Sequence, residues 1–125
     1  MGLDSSLYEI DANLITANFG FIKGNNYYKI KNASVELAYW RKHFSLNCWM
    51  NEMYERKGGK DLQLDSVVVV DLNDLNELEM FIKSQKNEDW SRYERPEDQE
   101  LDIQVIQKAK QSILNEKKVY YYASW

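Results

Sequence analysis

The sequence predicts one α+β domain over residues 1–125, with an antiparallel or mixed sheet of about five strands and about three helices mainly on one face. Three observations point there. Strand-type stretches open and close the chain, and a continuous valine run, Val67-Val68-Val69-Val70, lies near its middle. Between them lie segments whose apolar residues recur at helical spacing. A chain of 125 residues also buries about two thirds of the surface its unfolded form exposes, so its core needs no cross-links.

The first thirty residues read as extended. Gly24-Asn25-Asn26 separates Phe19-Gly20-Phe21-Ile22 from Tyr27-Tyr28-Lys29-Ile30, the pattern of a hairpin around a Gly/Asn turn. After a turn at Asn32-Ala33-Ser34, Val35, Leu37 and Tyr39 alternate with Glu36, Ala38 and Trp40, which predicts a half-buried strand. A helix capped by Ser34 is the competing reading.

The clearest element follows. Leu46, Trp49, Met50, Met53 and Tyr54 fit one helical face over about Phe44 to Lys57, and Gly58-Gly59 ends it. Lys57-Gly58-Gly59-Lys60 is read as that stop and not as a phosphate loop, because it follows a helix instead of preceding one. The valine run predicts a strand covered on both faces. Asp71 or Asn73 then caps a helix carrying Leu75, Leu78, Phe81 and Ile82. Residues 84–98 are polar and acidic and read as a loop. Asp98 caps a third helix with Leu101, Val105, Ile106, Ala109 and Ile113 inward. The tail, Val119 to Trp125, reads as a strand paired inside the sheet, since an exposed edge this aromatic would aggregate.

Composition narrows the function classes. The net charge is −4, against a general nucleic-acid binder. One cysteine, Cys48, excludes an internal disulfide and a cysteine-rich zinc site, and one histidine, His43, argues against histidine metal sites. No cofactor is expected. No apolar run approaches the roughly 20 residues of a membrane helix, and no export signal opens the chain, so a cytoplasmic protein without membrane attachment is expected.

Two groups of side chains are candidates for a site. Trp40, Arg41 and His43 lie at a strand-to-helix junction, where backbone N–H groups and a guanidinium suit a small anionic ligand such as a nucleotide. Asn47, Tyr120, Tyr122 and Asp4, the last orienting Arg41, would complete that pocket. The competing reading makes the junction a basic corner with His43 as a helix cap. Trp90 and Tyr93, aromatics inside an acidic loop, are candidate contacts for a partner protein. The seven carboxylates Glu88, Asp89, Glu94, Glu97, Asp98, Glu100 and Asp102 read as a charged excursion. One face of the tail, Tyr120 and Tyr122, is open to pocket lining, helix packing or a homodimer interface.

Several blocks carry a resemblance in chain order: Met1-Gly2-Leu3-Asp4, then Glu36-Leu37-Ala38-Tyr39-Trp40-Arg41-Lys42-His43, Leu46-Asn47, Trp49-Met50, Lys57-Gly58-Gly59, Asp74-Leu75, Leu78-Glu79, and finally Tyr120-Tyr121 with Ser124-Trp125. They resemble a family of small uncharacterised proteins of bacteria and their phages. The resemblance implies a phage or bacterial cytoplasmic setting and no activity. Family members often carry His where Asn47 stands, and a Phe/Gly-rich stretch in place of residues 86–93, so any chemistry built on that His is incomplete here.

The reading that follows is a phage or prophage accessory protein that binds a host protein and is not an enzyme, placed in the host cytoplasm. The alternatives are a binder of a small anionic ligand at Trp40-Arg41-His43, and a hydrolytic enzyme with His43 as acid/base.

Overall fold

The computed structural model describes residues 3–14, 19–21, 30–59, 66–84 and 96–124. In chain order the elements are β1 (Asp4–Asp11), β2 (Phe19–Phe21), β3 (Val35–Arg41), α1 (Phe44–Arg56), β4 (Ser66–Val70), α2 (Leu72–Ser84), α3 (Pro96–Leu114) and β5 (Lys117–Ser124). The five strands form one sheet in the order β2-β4-β5-β1-β3, with every pairing antiparallel. The chain is an α+β fold.

The tail strand sits in the middle of this sheet. β5 pairs with β1 from Asp4↔Ser124 to Asp11↔Lys117, and with β4 from Val67↔Tyr122 to Val70↔Val119. Period-two geometry then sends Val119, Tyr121 and Ala123 to one face and Tyr120 and Tyr122 to the other. The same division splits the valine run. Val68 and Val70 join the first set, and Val67 and Val69 join the second with Ile10. The β-branched run is therefore buried on both sides, as its composition predicts.

Helices α1, α2 and α3 each cover the first face. α1 contributes Leu46, Met50, Met53 and Tyr54, α2 contributes Leu75, Leu78 and Ile82, and α3 contributes Ile106 and Ala109. Burying one such side chain is worth about 1.5–3 kcal/mol, more than a typical net hydrogen bond, so packing holds this layer to the sheet. On the second face Tyr8, Ile30 and Tyr122 pack against Ile10, Val67, Val69 and Tyr120.

The helix ends follow local chemistry. Asp71 and Asp74 form a reciprocal cap at the start of α2. Asp74 N donates to Asp71 Oδ1 (2.8 Å), and Asp71 N donates to Asp74 Oδ2 (3.0 Å). Lys57, the C-cap of α1, donates Nζ to Asp74 Oδ2 (2.7 Å) and to Val69 O (2.5 Å), tying the end of α1 to this turn. Gly58 has φ 107°, which an L side chain rarely adopts. At Gly59 a Cβ would lie 2.1 Å from Tyr54 Cε1, so the ring and chain approach as closely as they do only because no side chain intervenes.

Several expectations change. The alternation predicted for β3 is broken by a bulge: Leu7 pairs with Ala38, but the next residue, Tyr8, pairs with Glu36. Leu37 is the extra residue. The inward set becomes Leu37, Ala38 and Trp40, and Val35 and Tyr39 are exposed. β2 pairs with β4, residues 30–32 are helical, and the other residues of the expected hairpin arm lie outside the described set. α3 starts at Pro96, ahead of the expected cap Asp98, because proline fits the first helical position. Phe81 and Leu101, expected inward, are exposed.

Candidate functional site

The junction between β3 and α1 is built from an unusual backbone. Lys42 takes a positive φ of 58°, and its N–H donates to Leu3 O (2.6 Å). His43 follows at φ −85°, ψ 77°, and Phe44 N donates across it to Lys42 O (3.0 Å), an inverse γ-turn. This reversal turns the His43 side chain into the interior, where it is 2% exposed.

His43 is the N-cap of α1. Its Nδ1 accepts from Leu46 N at 3.4 Å. An Nδ1 that accepts leaves the proton on Nε2, which donates to Asp102 Oδ2 at 2.8 Å. Trp40 Nε1 donates to the other carboxylate oxygen, Asp102 Oδ1, at 2.8 Å. The Trp40 and His43 rings meet edge to face, 6.2 Å apart at 73°. Asp102 thus holds α3 onto the β3–α1 junction through both of its oxygens. An imidazole engaged at both nitrogens is set up to hold position, whereas a general base must reach a substrate proton.

One helical turn on, Asn47 is buried and its Oδ1 accepts from Tyr121 OH at 2.8 Å. Burial pushes the Tyr121 phenol well above its ordinary value. The Ser5 hydroxyl acts the other way, and Cys48 adds to the rise. Ser5 Oγ is itself buried and makes no hydrogen bond of ordinary geometry among the described residues.

The remaining candidates lie across the sheet. Asp4 pairs in register with Arg41 at the exposed end of the ladder. Asp4 Oδ1 accepts from Tyr39 OH at 2.6 Å, which raises the Tyr39 phenol, while Arg41 opposes that rise. Tyr120 stacks on Tyr8, with centroids 5.2 Å apart. Its hydroxyl donates to Ser34 Oγ (2.8 Å), and Ser34 Oγ donates in turn to Ile30 O (2.6 Å). Tyr122 shares this face.

The seven ligand candidates therefore do not converge. Trp40, His43 and Asn47 face the helices, whereas Asp4, Arg41, Tyr120 and Tyr122 face away, with the sheet between. A single pocket using all seven does not form. The reason is parity: Asn47 meets Tyr121, the tail tyrosine that points to the helices, and not its neighbours. Trp90 and Tyr93 lie outside the described residues.

Asp102 and Tyr121 complete the polar cluster. Tyr121 was legible only as one of a run. Asp102 stands four residues before Ile106 and seven before Ala109, so helical spacing places it on the inward face. Its company of surface carboxylates hides that signal.

Among the described residues, two spaces adjoin these elements. One, about 10 Å³, lies among apolar side chains beside Trp40 and Asp102, at the lower limit for a single water. The other is an open groove of about 610 Å³ lined by Asp11, Ala12, Asn13, Leu14 and Glu116, whose two carboxylates have the wrong sign for an anion. Among the described residues no group of three or more His, Cys, Asp or Glu side chains is placed to hold a metal ion, and no helix is long and apolar enough to cross a membrane. No family model, curated protein or solved structure matches the chain.

Proposed function

We propose that the protein acts by binding another protein, as a phage or prophage accessory factor directed at a host partner, and carries out no chemistry of its own. The observation that carries this reading is a set of exposed apolar side chains at the end of α2 and the start of α3. Met80 is 72% exposed and Leu101 54% exposed, and Phe81, next to Met80 in sequence, is exposed as well. Gln99 Nε2 donates to Ile82 O, which draws these two helix ends together. They flank the segment carrying Trp90 and Tyr93. Exposed apolar side chains and aromatic anchors are what a protein contact uses. The internal use of Trp40 and His43 supports the same reading, since both side chains are engaged in holding the fold. The phage setting rests on the sequence resemblance.

The test is capture of host proteins on the purified chain, followed by measurement of the dissociation constant with the purified partner. Met80→Lys with Leu101→Lys, and separately Trp90→Ala with Tyr93→Ala, is expected to weaken binding about tenfold or more. Unchanged affinity in both variants would reject this surface. A rise in melting temperature with millimolar nucleotide would favour the small-anion reading instead.

A further inference from the structure

Among the described residues β3 is an edge of the sheet, with no strand along its outer side. Edge strands are commonly guarded by charges and by bulges, which discourage pairing with other chains. On β3 the charges are of opposite sign, and the bulge makes their positions symmetric. Leu37 and Ala38 together occupy one ladder position, because Leu7 pairs with Ala38 and Tyr8 with Glu36. Counted in ladder positions, Glu36 lies two before Tyr39 and Arg41 lies two after it. Both side chains are exposed, and neither has an ion-pair partner among the described residues.

We propose that β3 is a homodimerisation edge, on which a second copy adds its own β3 antiparallel about a twofold axis at Tyr39, setting Glu36 of each copy opposite Arg41 of the other. A twofold axis normal to the sheet keeps each residue on its own face, so only like-facing residues can be opposed. This register satisfies that condition. Glu36, Tyr39 and Arg41 pair in the ladder with Tyr8, Ser6 and Asp4, on the face away from the helices. Leu37, Ala38 and Trp40 belong to the helix face. The register therefore sets Tyr39 against Tyr39, and Trp40 against the Leu37–Ala38 position, large against small. Without the bulge, Glu36 and Arg41 would fall on opposite faces and could not meet. The arrangement also places Tyr39, which is 54% exposed, at the axis between the two copies. Cross-strand ion pairs directly opposite one another are favourable, and like charges there are unfavourable. This inference is independent of the partner surface on α2 and α3.

Sedimentation velocity over a range of concentrations tests it. The unmodified chain is expected to dimerise. Glu36→Arg and Arg41→Glu should each raise the dimer dissociation constant about tenfold, since each sets like charges across the axis twice. An equimolar mixture of the two variants should associate again, because it restores opposite charges, and so should the chain carrying both substitutions. A monomer throughout the range, single variants that dimerise like the unmodified chain, or a mixture that stays monomeric would each overturn the proposal. Circular dichroism melts of the variants establish that they fold. If a single variant fails to fold, the doubly substituted chain decides the matter by dimerising or not.

Discussion

Asp102 and His43 stand 59 residues apart in the chain and meet at 2.8 Å in the interior. The contact joins the first turns of α3 to the residue that caps α1, and the same carboxylate accepts from Trp40 on β3. Three elements are fixed by one side chain. The positive φ at Lys42 is the backbone cost of delivering the imidazole to it.

Removing either member should therefore destabilise the fold more than loss of an average surface hydrogen bond. Asp102→Ala leaves the Nε2–H of His43 and the indole N–H of Trp40 without their acceptor. His43→Ala removes the cap and one of the carboxylate's donors. Each is expected to cost about 2–4 kcal/mol in urea unfolding. The double variant should fall short of the sum by at least about 1 kcal/mol, the coupling of contacting residues. Additive losses would show that the pair is not coupled.

Tyr121→Phe and Ser5→Ala should behave oppositely, although the side chains are neighbours. The first deprives the buried Asn47 Oδ1 of its donor, at a cost of about 1–3 kcal/mol. The second removes a buried hydroxyl that makes no hydrogen bond of ordinary geometry among the described residues, so the loss should stay below about 0.5 kcal/mol or become a gain. Equal losses in thermal or urea unfolding would refute the distinction.

Glu79 should confer a narrow acid sensitivity. It accepts from Lys83 (2.6 Å), from Lys110 and from Gln107 (3.0 Å), joining α2 to α3. The hydrogen bonds from Lys110 and then Lys83 lower its carboxyl from 4.5 to about 2. A depressed carboxylate contributes stability that is full above its unfolded value and is lost as pH falls through its folded value. The loss should therefore run from about pH 4.5 down to about 2, and solvent screening should hold it below about 1 kcal/mol. In Glu79→Gln that part of the pH dependence should vanish. A carboxyl carbon titrating near 4.5 by NMR would contradict the assignment.

Much of this architecture is legible in the residues because it depends on local rules. The valine run, the apolar spacing of α1 and α2, the Asp71 cap and the glycine stop follow from propensity, periodicity and capping, each acting over a few residues. His43 at a strand-to-helix junction was legible as a cap for the same reason. Asp102 was not, because a carboxylate among carboxylates reads as solvated unless its partner is known, and that partner lies on another element.

What the sequence determined by itself was therefore the kind of each element and which stretches are apolar. Tertiary structure decided which face each side chain serves. One extra residue, Leu37, shifts the parity of β3 so that Trp40 turns to the helices while Arg41 turns away. The central place of β5 commits Tyr121 to Asn47 and leaves Tyr120 and Tyr122 on the far side. In a sheet one residue of register exchanges the two faces, and register is fixed by pairing between distant strands, which no local pattern records.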